Sequence, residues 1–185
     1  MELVFMLEEL SAKEFLDAFL PRLLPPDISF KTISHHGKSD LRASLPRKLR
    51  AWQNPKARFI VLHDQDANGC VSLKEQLRAI CTQARPELIP QPLIRIACHE
   101  LEAWHLGDFD ALEVAYPEFD STHFRHKAKF RDVDSLGNPS EELAKLVPQY
   151  QKVSGSRLLG SLVDAEKNTS NSFQIFVAGL TSIQQ

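Results

Sequence analysis

The chain has 185 residues, with 43% hydrophobic and 25% charged side chains. That is ordinary globular usage, so disorder is not the default reading. Lys and Arg number 22 against 24 Asp and Glu, a net charge of -2, so a chain-wide polybasic coat for nucleic acid is excluded while a local basic patch is not. Three cysteines, Cys70, Cys81 and Cys98, form no CxxC and no disulfide framework, and they read as buried thiols in a reducing cytoplasm.

The start, MELVFMLEEL, has no cationic segment and meets Glu8 and Glu9 after a short apolar run, unlike a signal peptide. No apolar run approaches the roughly 18 residues of a membrane span, and no membrane partner is expected. Residues 2–8 read as a buried strand. Ser11 and Glu14 have capping-box spacing, and Phe15, Leu16, Phe19, Leu20, Leu23 and Leu24 make a wide apolar helix stripe. Pro21 predicts a kink in that helix and Pro25-Pro26 its end.

The alternation recurs. Residues 28–34 predict a second strand. Leu41, Leu45, Leu49 and Trp52 predict a helix over 39–53. Phe59, Ile60, Val61 and Leu62 predict a strand over 57–63 that is buried on both faces. Helix 71–84 and strand 92–97 follow. Strand–helix alternation at this spacing argues for a mostly parallel, four-stranded α/β sheet with crossover helices. Beyond about residue 98 the pattern turns helical, with segments expected over HELEAWHL, 139–147, 156–166 and 172–182. The organisation expected is a single domain over 1–185, an α/β core to about residue 118 and a helical C-terminal extension over 119–185.

Charge is unevenly spread. Residues 38–58 hold seven basic side chains and one acid, and residues 123–131 hold Arg125, Lys127, Lys129 and Arg131 with no acid. Residues 99–120 hold seven acids and no Lys or Arg. Two readings fit: a basic surface around an acidic centre, or solvated faces and an acidic helix. On the first, Lys38, Arg47, Lys48, Arg50, Arg125, Lys127 and Lys129 are candidate contacts to a phosphate backbone.

The sharpest chemical signal is Asp64-Gln65-Asp66, directly after the third strand. In extended chain, residues two apart point the same way, roughly 6.6 Å apart. Carboxylates at the carboxyl end of a parallel strand sit where α/β sheets bind ligands. A hard cation such as Mg²⁺, or Mn²⁺ in its place, takes such oxygens. The alternative is a polar turn in which Asp66 or Asn68 caps helix 71–84. Glu8 ends the first strand in the same way. If the two strands are neighbours, Glu8, Asp64 and Asp66 converge on one sheet edge; otherwise Glu8 is a helix-dipole partner. Glu100 and Glu102 follow the fourth strand and are candidates for a second metal position.

Several other motifs fail on spacing. His99 and His105 are six apart, about 120° around a helix, which excludes an HExxH zinc site. Trp104 reads as core. Gly37-Lys38-Ser39 lacks the upstream glycine of a phosphate loop, leaving Ser39 as a plain N-cap and Lys38 as a phosphate contact at a helix N-terminus.

The layout of a Glu after strand one and DxD after strand three is similar to the TOPRIM fold of topoisomerases, primases and OLD-family nucleases. A longer likeness covers nearly the whole chain. The stretches SAKEFLDAFLPRLL, HGKSDL, FIVLHDQDANGC, IRIACHELEAWHLGD, YQKVSGSRLL and NSFQIFVAGL resemble the bacterial domain family 4276, considered TOPRIM-like. The usual start there is Glu-Gly-Pro/Ser-Thr-Glu, and Glu9 stands in place of its glycine. The resemblance implies a TOPRIM-like core with metal acids at Glu8, Asp64 and Asp66. It also implies that Lys152 and Ser154 approach the same edge, with Lys152 a further nucleic-acid contact. The function so implied is Mg²⁺-dependent phosphodiester cleavage of DNA or RNA, in a defence or mobile-element system beside an ATPase partner. A non-catalytic or regulatory subunit of such an ATPase complex is the alternative.

Overall fold

Apolar runs too short to bury themselves as helices pair instead as strands. In the computed structural model, which describes residues 1–65 and 69–183, they are β1 (Glu2–Leu7), β2 (Ser29–Ser34), β3 (Ala57–Asp64) and β4 (Leu93–Ala97). All pairings are parallel, in the order β2-β1-β3-β4. The central strands β1 and β3 are buried almost throughout, whereas β2 at one edge is half-exposed. Continuous apolar runs therefore mark the middle of the sheet, and mixed sequence marks its border.

Three crossover helices join the strands: α1 (Leu10–Leu23), α2 (Lys38–Ala51) and α3 (Cys70–Ala84). Strand side chains alternate between two cores. Leu3, Phe5, Leu7, Ile60 and Leu62 pack on the face that carries α1. Val4, Met6, Phe59 and Val61 pack on the face that carries α2 and α3. The chain runs from β1 to β2 in one direction and on to β3 and β4 in the other. The strand order thus reverses between β1 and β3, the position where open parallel sheets leave a crevice at their carboxyl ends.

The remaining chain builds onto the α1 face. It holds α4 (Glu102–Leu106), α5 (Phe109–Ala115), three single 3₁₀ turns within 121–135, α6 (Pro139–Leu146), α7 (Lys152–Gly160) and α8 (Asn171–Ile183). One buried cluster takes side chains from both the sheet and this helical region. None of the described helices is long and apolar enough to cross a membrane.

Local signals were displaced in three places. The expected Ser11–Glu14 box does not form: the N-cap of α1 is Glu9, and the Ser11 hydroxyl donates to Glu9 Oε1 at 2.9 Å instead. Helix α2 starts one residue before Ser39, because Gly37 at φ 90 supplies the turn. That left-handed conformation suits glycine, and the Gly37 N–H donates to the Glu8 carbonyl at 2.9 Å, tying the β2–α2 turn to the end of β1. The helix expected over 156–166 is α7, displaced toward the N-terminus, since Val163 packs from the turn that follows and the first turn, KVSG, has no apolar period. The reading of Asp66 or Asn68 as a cap falls outside the described residues. Of the cysteines expected to be buried, Cys81 is, while Cys70 and Cys98 are half-exposed.

Helices α1 and α7 lie alongside each other and meet closely at Gly160. A Cβ added there would stand 2.3 Å from the Phe15 carbonyl oxygen, a backbone atom that cannot rotate away. Gly160→Ala is therefore expected to destabilise the fold by about 1–3 kcal/mol through overpacking. Urea titration measures this, and an unchanged midpoint would show that the helices separate freely.

Candidate functional site

The strand register sets the site. Leu7 is level with Ser34 on one side and with Leu62 on the other. The next residue, Glu8, thus emerges between His35 and His63, at the β1/β3 reversal. Glu8 Oε2 accepts from the Asp64 N–H at 3.2 Å and lies 3.0 Å from His63 Nδ1. His63 Nδ1 also lies 2.5 Å from the Asp64 carbonyl oxygen, and Nε2 faces Arg42 Nη2 at 3.4 Å. Arginine has only donors, so Nε2 accepts and Nδ1 carries the hydrogen. His35 repeats the pattern on the other flank. Its Nδ1 donates to the Leu7 carbonyl at 2.7 Å and its Nε2 accepts from Lys48 Nζ at 2.6 Å. Burial, helped by the Lys48 charge, holds the His35 pKa below its ordinary value against the opposing Leu7 hydrogen bond. Neither histidine stood out in the sequence, since a single His ending an apolar run looks like any polar strand terminus.

Four carboxyl groups crowd this edge. Burial raises the Asp64 pKa well above the usual carboxylate range, and the charges of Glu8, Glu102 and Glu9 raise it further, opposed by Lys152. Glu102 is wholly buried at the start of α4. Its Oε1 accepts from the Tyr150 hydroxyl at 3.2 Å, while its Oε2 has no hydrogen-bond partner. Burial raises its pKa as well. Glu9, at the N-cap of α1, has φ -146, an extended conformation open to any residue, so the turn does not require the glycine usual in the resembling sequences. Its carboxylate meets Lys152 Nζ at 2.7 Å. Burial would lower the Lys152 pKa, but the Glu9 hydrogen bond and the nearby acids raise it overall. Behind them, His105 is fully buried and pushed down to about 3, hence neutral at physiological pH.

The other candidates divide. Glu100 is directed to α6, where its Oε2 accepts the Ser140 N–H at 2.8 Å. Asp66 lies outside the described residues. In the acidic stretch 99–120, Asp108 caps α5 and holds the Asp164 N–H, and Asp110 and Glu113 pair with Arg125. Glu102 is the acid of that stretch that bears on Asp64. Among the basic residues, Lys38, Arg47 and Arg50 are exposed on α2, with Arg50 Nε donating to the Ala84 carbonyl. In the second stretch Arg125 and Lys129 are already paired, with Asp110 and Glu142 respectively, and Lys127 lies over the Phe124 ring at 4.5 Å.

Carboxylate oxygens, one of them on Glu102 without a hydrogen-bond partner, are the donor type a hard cation takes. Among the described residues no three acidic, His or Cys side chains already converge as a formed cation site. Burial pushes the Cys81 and Cys98 thiols up to about 11, away from the thiolate form a nucleophile needs.

No curated protein and no solved structure matches the chain. A family of domains of unknown function, DUF4276, matches residues 7–181. That span runs from the last residue of β1 into α8 and takes in Glu8, His63, Asp64, Glu102 and Lys152 alike, and by it the chain belongs to the DUF4276 family.

Proposed function

We propose that the chain is a TOPRIM-like, Mg²⁺- or Mn²⁺-dependent phosphodiesterase that cleaves a nucleic-acid backbone. The observation that carries this reading is the hydrogen bond from the Asp64 N–H to Glu8 Oε2 at the β1/β3 reversal, where burial and then the charges of neighbouring acids raise the Asp64 pKa. A cation there offsets the burial and the like charges that raise the Asp64 pKa. When bound, the metal supplies Lewis acidity and an activated water. Glu8 and Asp64, and by the resemblance Asp66, would hold the ion, with Glu8 serving either as a ligand or as the base that takes a proton from the attacking water. Glu102 lends its unpartnered oxygen, and Lys152 offers positive charge to a phosphate at the same edge. By its likeness to OLD-type systems, the protein works beside an ATPase partner in a defence or mobile-element setting.

Cleavage of end-labelled DNA and RNA tests the reading: activity with Mg²⁺ or Mn²⁺, abolished by a chelator. The second reading, a non-catalytic subunit of an ATPase complex, is favoured by the lack of a ready-formed cation site among the described residues. A wild type with neither cleavage nor a metal-dependent melting shift would select it.

The α2 surface is proposed to hold the backbone. Arg47→Gln with Arg50→Gln is expected to weaken DNA or RNA binding more than Arg125→Gln with Lys129→Gln, because acids already neutralise the latter pair. Each lost phosphate contact lowers the slope of log affinity against log salt by about 0.7–0.9. Fluorescence anisotropy across a salt series reads both quantities. Equal losses from the two pairs would contradict this orientation.

A further inference from the structure

We propose that Lys74, Arg78, Arg95 and Arg58 form a cationic track along the open edge of β4 that holds successive phosphates of a nucleic-acid strand. The proposal rests on the nucleic-acid reading above and names a second surface for it, apart from α2 and from the acid edge. Strand β4 ends the sheet order and pairs on one side only, with β3. Helix α3 packs beside it on one face and α8 on the other. Lys74 and Arg78 are four residues apart on α3, about 6 Å along its axis, and so share a face. Arg78 and Arg58, from the start of β3, line one cavity with Phe59, Leu93, Ile94 and Ile183. Arg95 lies half-buried in the middle of β4. The four residues come from two strands and the helix between them, so no run of charge marks them together in the sequence.

Their charge is uncompensated. Arg95 Nη1 donates to the Ile94 carbonyl at 3.0 Å and its Nε to the Ile175 carbonyl of α8 at 3.1 Å, while Arg58 Nη1 donates to the Ala57 carbonyl at 3.3 Å. Carbonyls bond a guanidinium without neutralising it. Among the described residues, Lys74 and Arg78 have neither a hydrogen bond nor an ion pair. Strand β4 and helix α8 hold no acid, and Glu75 of α3 is exposed to solvent. Burial and then the charges of Arg95 and Arg78 lower the Lys74 pKa, opposed by Cys70, and burial and then Arg78 lower that of Arg95. Cations held together without an acid are relieved by a bound polyanion, and a row of donor-only groups fits a repeating phosphate. A peptide strand that took the Ile94 carbonyl would have to displace Arg95 from it, whereas phosphates need only the donors.

Fluorescence anisotropy of a labelled single-stranded DNA oligonucleotide with the full chain, across a salt series and with a chelator present, tests this independently of metal and cleavage. Lys74→Gln with Arg78→Gln keeps helix propensity and spares Arg95, which ties α8 to β4. The double variant is expected to lower the slope of log affinity against log salt by about 1.4, the loss of two single-strand phosphate contacts. Lys13→Gln with Lys145→Gln removes the same charge from residues already paired with Asp17 and Glu142, and is expected to keep the wild-type slope. A wild-type slope in the folded Lys74 and Arg78 double variant, or equal losses from the two pairs, would overturn the track and leave the nuclease reading to its cleavage assay. Oligonucleotide binding that depends on this pair in a protein that cleaves nothing would support the track and sink the nuclease. A wild type that binds no oligonucleotide would overturn both. Polyglutamate bound instead, and released by the same double variant, would assign the edge to an acidic protein partner and overturn the phosphate track.

Discussion

Asp64→Asn is expected to lower metal-dependent cleavage by on the order of 10³-fold and to raise the melting temperature of the metal-free protein. A preorganised group aimed at developing charge is worth about 10²–10³-fold in kcat, and a lost ligand weakens the ion's hold as well. The stability effect has the opposite sign. The folded-state pKa of Asp64 is raised, first by burial and then by Glu8, Glu102 and Glu9. A carboxyl group with a raised folded pKa binds more protons folded than unfolded. Its contribution is fully present below the unfolded value of about 3.9 and is lost as pH rises through the folded pKa. Wild-type stability therefore falls over that range, whereas asparagine does not titrate. The melting temperature of Asp64→Asn minus that of wild type should grow as pH rises. His105 acts in the other direction: it must be charged in the unfolded chain but stays neutral when folded, so acid destabilises below about 6.5. That contribution is common to both proteins and cancels in the difference. Added Mn²⁺ should raise the wild-type melting temperature more than the variant's. A variant that melts lower than wild type at every pH would mean that Asp64 is a structural acid.

Trp104→Ala is expected to destabilise the fold by about 3–5 kcal/mol, a large share of the roughly 5–15 kcal/mol that holds a domain together. The indole is fully buried. Its ring lies 6.0 Å from Phe15, 5.3 Å from Phe173 and 5.0 Å from Phe176, so it joins α1 to α8. Its Nε1–H donates to Ser172 Oγ at 2.9 Å, and its backbone carbonyl accepts from Asn168 Nδ2 at 2.7 Å. Alanine leaves a cavity as well as a hydroxyl without its donor. Urea unfolding monitored by far-ultraviolet circular dichroism measures the loss, and a change below about 1 kcal/mol would show that the core collapses to fill the space.

These residues also show what the sequence discloses. The sheet was legible because β1 and β3 are continuous apolar runs, and their parallel pairing places Glu8 against Asp64 as the strand pattern predicts. Trp104 was read as core, and it is fully buried. Glu100 and Glu102 were not separable by pattern. His99, at φ 57, turns the chain between β4 and α4, so two acids that share a face in extended backbone part company, one to α6 and one to the buried edge. The first turn of α7 went unseen because Lys152-Val153-Ser154-Gly155 has no apolar period, although it delivers Lys152 to Glu9. His63 was hidden for a different reason: its neighbours come from two strands and a helix, and spacing along one segment carries no trace of that.

The most direct measurement of the central claim is anomalous diffraction from crystals soaked in Mn²⁺. The account predicts one anomalous peak at the β1/β3 reversal, within about 2.0–2.3 Å of carboxylate oxygens of both Glu8 and Asp64, and no peak there in Asp64→Asn crystals. A peak that ignores these two residues, or none at this edge under saturating Mn²⁺, would contradict it.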